Sequence, residues 1–195
     1  MILPFPIIIY AIYAHGVQRK YVSKLTGYNS LFWNGGMKMQ NKLLLNPMEF
    51  VIDEEAHEEM EIDGSIYCKR LMEKWTPELE TEMLEAFIRL YYDEMYMQWG
   101  PNDEEENKAF WPELSSPADL IKCTGTDVCI YALEDAIYAS RNKTGNPPYE
   151  SQNVPVCVIL SLNCPWEEEH GWAAVFVDEK LVKVDRDIVD CVYLD

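Results

Sequence analysis

The sequence predicts an α+β fold in which central amphipathic helices pack on a C-terminal antiparallel sheet. Helical periodicity dominates the middle of the chain, and short runs rich in β-branched and aromatic residues dominate its end. Strands and helices do not alternate along the chain as they do in doubly wound sheets. With 195 residues, of which 48% are hydrophobic, the chain is long and apolar enough to form one globular core.

The first predicted elements are short. Residues 40–53 are interrupted by Pro47 and predict one or two short strands, and the charged residues 54–61 predict a solvated turn or a short ribbon. Asp63 begins a turn sequence that also signals a helix N-cap, so we expect a helix from there to about Trp75.

The clearest predicted helix follows Thr76. Thr76 is a good N-cap, and Pro77 suits the first helical position because its missing N–H is not needed there. The apolar side chains recur at four-residue intervals, at Leu79, Met83, Phe87, Tyr91 and Met95. This spacing predicts an amphipathic helix that ends before Gly100.

The remaining elements change period. Ser116 and Pro117 predict a short helix through Lys122. The predicted strands that follow are residues 128–131, 156–162, 173–177 and 181–184. Asp178-Glu179 joins the last two closely enough for a hairpin, and residues 139–153 predict a loop.

Charge divides the chain into an N-terminal extension, residues 1–38, and a single acidic α+β domain, residues 39–195. The extension contains four basic and no acidic side chains, whereas the domain contains 12 basic and 34 acidic ones. The apolar residues 1–14 are too short to span a bilayer as a helix, and the basic Arg19-Lys20 follows them instead of preceding them as in a secretory signal. We therefore expect a cytoplasmic protein without a membrane span.

A second hypothesis for the extension concerns the gene. The codons of Gly35-Gly36 can spell a purine-rich ribosome-binding sequence at a suitable distance upstream of Met39. Residues 1–38 would then be an artefact of start-codon choice, which mass spectrometry of the native protein would test.

Composition excludes several classes of function. The formal net charge of −18 disfavours nucleic acid and anionic lipid as partners and favours a basic protein. The glycines form no phosphate-cradling motif, so nucleotide binding is not expected. The six cysteines form no C-x-x-C pair and predict buried reduced thiols, and we expect no structural zinc, other metal or cofactor.

Clustered carboxylates form the candidate surface for a basic partner. Long-range electrostatic attraction would steer such a partner to them. The candidate partner-binding residues are Glu54, Glu55, Glu58, Glu59, Asp103, Glu104, Glu105, Glu106, Glu167 and Glu168.

Residues 164–171 contain the densest group of reactive side chains. Cys164 and His170 suit a nucleophile and its base, whereas Glu169 and His170 suit a metal site shared with His57 and the glutamates beside it. A structural role is the third alternative. In it, Trp166 packs across the loop, His170 bonds backbone groups and Gly171 adopts a conformation that other residues resist.

The pattern C-x-W-x-x-E-H-G, formed by Cys164, Trp166, Glu169, His170 and Gly171, precedes an apolar strand and a hairpin. It resembles a bacterial family known only as a domain of unknown function. Residues 70–94 are similar to that family's central helices, so the resemblance covers about residues 48–194. It implies an immunity-protein-like role, because such domains occur beside acidic proteins thought to neutralise toxins.

The leading functional hypothesis is a non-enzymatic, cytosolic, acidic binding protein, such as an immunity protein that neutralises a basic toxin. The alternative is a metal-assisted or thiol-dependent hydrolase that uses residues 164–171. An acidic mimic of nucleic acid is a third hypothesis.

Overall fold

The structure is a computed structural model. It describes residues 42–58, 60–100, 110–139, 145–150, 153–166, 171–186, 188 and 191–194, all within the unit Gln40–Asp195. The predictions for residues 1–38 lie outside the described residues. So do those for Glu59, for residues 103–106 and for residues 167–170.

The helices lie where the capping residues predict them. They are α1, Gly64–Glu73; α2, which begins as Pro77–Leu90; and α3, Pro117–Thr124. Asp63 Oδ1 accepts a hydrogen bond from the Ser65 N–H at 3.0 Å, and Thr76 Oγ1 accepts one from the Leu79 N–H at 3.2 Å. Ser116 caps α3 in the same way. Each cap satisfies an N–H group that a helix N-terminus would otherwise leave unpaired.

Helix α2 changes its winding partway along its length. After Leu90 it is π-helical over Tyr91–Tyr96 and α-helical again over Met97–Trp99. The sequence predicts one uninterrupted helix here, since a π-helical segment keeps the same residues helical and leaves little trace in an apolar pattern. π-Helical segments are rare overall, but those that do occur lie frequently at functional sites.

The strands form a five-stranded sheet and a two-stranded ribbon. The strand bounds are β1, Val51–Ile52; β2, Val128–Leu133; β3, Ile137–Ala139; β4, Cys157–Leu162; β5, Trp172–Val177; β6, Lys180–Arg186; and β7, Val192–Leu194. The order in the main sheet is β1-β2-β4-β5-β6, and β3 pairs with β7. The pairs β2–β4, β4–β5 and β5–β6 are antiparallel, as predicted.

The predicted α+β fold with a C-terminal antiparallel sheet is confirmed, and a strand from the N-terminal side of the helices makes the main sheet mixed. Strand β1 pairs parallel to β2, with Val51 opposite Cys129. The three helices lie in the connection between these strands, and a connection of that length allows a parallel pair. The ribbon of β3 and β7 is also parallel and was not predicted.

The sheet carries a hydrophobic core on each face. On the helix side, Leu160 belongs to the same buried cluster as Phe87 and Trp172. On the other side, Ile159 belongs to a second cluster with Ile137 and Val175. Neighbouring residues of a strand point to opposite faces, so β4 and β5 are buried on both. This explains why their sequences are continuous apolar runs.

A buried carboxylate holds the beginning of the described chain against α2. Glu80 is 2% exposed. Its Oε1 accepts the Leu44 N–H at 2.7 Å, and its Oε2 accepts the Leu45 N–H at 2.9 Å and the Trp75 Nε1–H at 3.3 Å. Three donors around one carboxylate offset much of the cost of burying its charge.

Candidate functional site

The candidate site is the acidic turn, which we define as residues 53–63 without the undescribed Glu59. Its centre is a 3₁₀ helix, Glu55–His57. Asp53 Oδ1 accepts hydrogen bonds from the Glu55 N–H at 3.1 Å and the Ala56 N–H at 3.3 Å. Because these bonds are local and satisfy the first free N–H groups, they fix the conformation at the start of the turn.

His57 fastens the acidic turn to the sheet. Its side chain is 7% exposed, and its Nε2 accepts a hydrogen bond from the backbone N–H of Ala132 in β2 at 2.9 Å. An accepting Nε2 has no proton, so the neutral ring carries its proton on Nδ1. Nδ1 lies 3.7 Å from Glu54 Oε2, and this buried atom makes no hydrogen bond to any described residue.

Gly64 gives the His57 ring the room that it needs. A Cβ atom on Gly64 would lie 2.6 Å from His57 Cδ2, which is closer than real Cβ contacts. The imidazole thus occupies the space that a side chain on the first residue of α1 would need. Sequence reasoning placed Gly64 in a turn and did not detect this contact, since residue spacing carries no signal for it.

The glutamates of the acidic turn point into solvent. Glu54, Glu55, Glu58 and Glu61 are all exposed, and the Glu54 side chain is 71% exposed. The Glu61 N–H donates to Glu134 Oε1 at 2.5 Å, which places a further carboxylate beside the turn. Within the described part of the chain, no Lys or Arg forms an ion pair with these four glutamates.

The ionisation of Asp63 adds to this charge. The hydrogen bond from Ser65 lowers the pKa of the Asp63 carboxyl, although its partial desolvation acts in the opposite direction. Asp63 therefore stays charged at neutral pH while it caps α1. The acidic turn is therefore a preformed group of carboxylates, and its four described glutamates have no Lys or Arg ion-pair partner among the described residues.

The segment around Cys164 is built differently, as part of an aromatic core. Cys164 is 1% exposed and Trp166 is 6% exposed. The Trp166 ring lies 4.7 Å from that of Tyr91 and 5.5 Å from that of Trp172, measured between centroids. Gly171 has a φ of +67°, in the left-handed region that favours glycine. Glu167, Glu168, Glu169 and His170 lie outside the described residues.

The π-helical part of α2 supplies the other half of this aromatic core. The Tyr91 hydroxyl donates to the Pro112 carbonyl at 2.8 Å, and burial raises the pKa of Tyr91 well above its ordinary value. The buried Nε1 atoms of Trp166 and Trp172 make no hydrogen bond to the described residues. The rings of Trp166, Tyr91 and Trp172 lie at the centroid separations of favourable aromatic pairs.

The acidic turn and the Cys164 segment lie at opposite ends of β2. His57 binds Ala132, near the end of β2, whereas Leu162, which precedes the segment, pairs with Val128 at its start. Four residue steps separate Val128 from Ala132 along β2, or about 13 Å. His57 and Cys164 are therefore not brought together, and His57 Nε2 is already occupied by the backbone.

Two thiols of the core, those of Cys68 and Cys157, are poorly suited to nucleophilic chemistry. Burial raises the pKa of both Cys68 and Cys157 to about 12. A thiol with that pKa has almost no thiolate at neutral pH. The described part of the chain contains no group of three His, Cys, Asp or Glu side chains arranged to hold a metal ion. No disulfide joins the six cysteines, all of which are described.

A groove that the sequence did not predict lies between α1 and the β5–β6 turn; we call it the α1–turn groove. Its volume is about 390 Å³. It is lined by Tyr67, Arg70, Leu71, Val154, Pro155, Val156, Val158, Phe176, Asp178 and Glu179. These residues come from three separate parts of the chain. The one local sequence signal for the groove is the basic pair Arg70 and Lys74, which lie one helical turn apart.

Comparisons with known proteins identify a family but no characterised relative. No curated protein and no solved structure matches the chain significantly. Among the described residues, no helix combines the length and apolarity that crossing a bilayer requires.

A family model matches residues 22–189, which includes most of the acidic domain and residues 22–38 of the N-terminal extension. The matched range therefore begins before Met39, the alternative start in the gene hypothesis. Since the match spans well over half of the sequence, the chain belongs to the family described as Domain of unknown function (DUF6985).

Proposed function

We propose that this chain is a non-enzymatic, cytosolic binding protein whose acidic surface recognises a basic protein, in the manner of an immunity protein that neutralises a basic toxin. One observation carries the proposal. The exposed glutamates of the acidic turn have no Lys or Arg partner among the described residues, although the turn itself is firmly held.

The physical argument concerns both rate and affinity. Opposed potentials speed the encounter of two proteins, and salt weakens the attraction by screening. A turn already fixed by His57 and Asp53 loses little conformational entropy when a partner binds, so more of the interaction energy contributes to affinity. Most protein surfaces intersperse both signs of charge, whereas this chain has a net charge of −18.

The hydrolase alternative draws less support from the described residues. Cys164 is buried in the aromatic core, and the His57 ring is committed to the backbone of Ala132. The other members of that hypothesis, Glu169 and His170, lie outside the described residues. The alternative stays a prediction that rests on the sequence alone.

Capture of partners from the source cell's lysate by the full chain, at low and at high salt, tests the proposal. We expect a basic protein that is held at low salt and released at high salt. The triple variant E54K/E55K/E58K should reduce its capture by at least about tenfold, because it reverses three charges at the turn.

The matched control is E73K/E82K/D93K, which reverses three exposed charges along α1 and α2. It produces the same change in net charge away from the acidic turn and should retain most of the capture. If capture of the partner fell equally with both variants, the partner would respond to overall charge and not to the acidic turn. A partner indifferent to salt and to both variants would refute the electrostatic proposal.

A further inference from the structure

The hydrogen bond that joins the centre of the acidic turn to β2 depends on the protonation state of His57. The Ala132 N–H donates to Nε2 of the ring at 2.9 Å. A backbone N–H can only donate, so Nε2 must be the nitrogen without a proton. Protonation of the ring puts a hydrogen on both nitrogens and sets one donor against another. The turn is therefore docked on β2 only while the ring is neutral.

The docked ring is itself incompletely satisfied. Its Nδ1 carries the proton, is buried and makes no hydrogen bond to any described residue. Glu54 Oε2 lies 3.7 Å away, beyond hydrogen-bond distance, on a side chain that is 71% exposed and has room to rotate. A buried donor without a partner costs free energy. A charged ring that leaves β2 can pair with Glu54, which offsets part of the loss of the Ala132 bond.

The ionisable groups around the ring are mostly acidic and attract a positive charge. They are Asp53, Glu54, Glu55 and Glu58 on the turn; Asp63, Cys68 and Lys69 at the cap and first turns of α1; and Glu134 just after β2. The hydrogen bond from Ser65 is the main cause that lowers the pKa of Asp63, and the charge of His57 acts in the same direction. Burial raises the pKa of the Cys68 thiol to about 12, so this thiol stays neutral. The carboxylates thus favour the charged ring, whereas burial and the Ala132 bond oppose it.

The acidic turn is tied down on both sides of His57, so its release is local. The Asp53 N–H donates to the Ile130 carbonyl at 3.0 Å, and the Glu61 N–H donates to Glu134 Oε1. Neither bond involves the imidazole. Imidazoles ordinarily titrate between about pH 5 and about pH 8, and carboxyl groups near about pH 4. Mild acid therefore acts on the centre of the turn while both ends stay bonded.

We infer that protonation of His57 releases the centre of the acidic turn from β2, which makes the turn a pH-dependent conformational device. The released state binds one proton more than the docked state, so docking weakens as the pH falls. The docked turn holds Glu54, Glu55 and Glu58 in one arrangement, whereas a released turn must be ordered again when a partner binds. This consequence for a partner rests on the proposed function, and the release itself does not.

Amide NMR of the full chain between about pH 7.5 and about pH 5.5 tests the release, because imidazoles titrate over this range. The protection of the Ala132 amide against exchange should fall at least about tenfold, as expected for a local opening. Leu160, in the middle of β4, should keep its protection. Unchanged protection of Ala132 would overturn the inference, and so would equal losses at Ala132 and Leu160, which would mean that the whole domain unfolds.

The nitrogen shifts of the His57 ring give a second measurement on the unaltered protein. Nε2 should be unprotonated at neutral pH, and the midpoint of its protonation should coincide with the loss of the Ala132 bond. A ring that becomes charged while Ala132 keeps its protection would contradict the inference.

His57→Gln is the matched variant, because the Gln Oε1 lies as many bonds from Cα as Nε2 does and accepts an N–H without titrating in this range. Its Ala132 amide should keep the same protection at both pH values. His15→Gln removes a histidine of the N-terminal extension and should retain the wild-type response. A response that persists in His57→Gln, or that disappears in His15→Gln, would assign the transition to other groups.

Capture of a basic protein at the two pH values separates this inference from the proposed function. On acidification, capture by the wild type should fall at least about threefold more than capture by His57→Gln, because only the wild type loses the preformed turn. An equal fall in both proteins would overturn the link to partner binding. If no partner is captured at either pH, the proposed function fails, and the NMR measurements still decide whether the turn is released.

Discussion

At the scale of single residues, the contact between His57 and Gly64 fixes the geometry of the acidic turn. We predict that Gly64→Ala destabilises the protein by about 1–3 kcal/mol, the usual cost of forcing extra volume into a packed contact. Alanine would otherwise favour the helix by about 0.5–1 kcal/mol, so the sign of the effect reports the clash with the ring. Urea unfolding of both proteins measures the difference.

The control is a double-mutant cycle with His57→Ala. Once the ring is gone, Gly64→Ala should cost little or should stabilise, because the new methyl group no longer meets His57 Cδ2. Equal costs of Gly64→Ala with and without the ring would show that the contact does not constrain the turn.

At the scale of elements, Glu80 connects α2 with the chain that enters the domain. We predict that Glu80→Gln destabilises the protein by about 1–3 kcal/mol. The carboxylate accepts bonds from Leu44 and Leu45 through different oxygens, whereas an amide has only one oxygen and would direct an N–H toward one of these donors. Urea unfolding gives the free energy, and amide exchange at Leu44 and Leu45 should quicken.

Glu82→Gln provides the comparison for that variant. Glu82 lies on the same helix and is exposed, so the same chemical change should have an effect within about 0.5 kcal/mol. If both variants unfold at the same urea concentration as the wild type, the buried carboxylate does not stabilise the domain.

The elements also show which parts of the fold a sequence can predict. Asp63, Thr76 and Ser116 mark helix starts correctly because a cap bonds to an N–H only two or three residues away. Strands β3 and β7 were missed because three residues are too few to establish a period, and their pairing joins distant parts of the chain. The parallel direction of β1 likewise depends on the whole path between β1 and β2.

In the candidate site, too, local features were predictable from the sequence and long-range contacts were not. The exposure of Glu54, Glu55 and Glu58 was predictable because a run of charges cannot be buried. The bond from Ala132 to His57 was not predictable, since 75 residues separate the two. The α1–turn groove was missed for the same reason, because its floor and rim are assembled from residues far apart in sequence.

At the scale of the whole molecule, self-repulsion and ion pairs respond to salt with opposite signs. Repulsion among the surplus negative charges destabilises the compact state, and salt relieves it. Ion pairs such as those of Glu179 with Arg70 and Lys74 weaken in salt, but Arg70 and Lys74 are at least half exposed and such pairs contribute about 1 kcal/mol or less. With a net charge of −18, repulsion should dominate.

We therefore predict that the melting temperature rises between about 20 mM and about 300 mM NaCl, over which the screening length falls several-fold. A gain of about 1 kcal/mol corresponds to about 2–4 °C for a chain of this size. Scanning calorimetry of the wild type and of E54Q/E55Q/E58Q gives the comparison, and the neutralised variant should gain less because three repelling charges are gone.

A melting temperature that falls with salt would mean that ion pairs outweigh repulsion. In that case the acidic surface would not destabilise the folded state. Its charge would then give no stability-based support to the proposed binding of a basic partner.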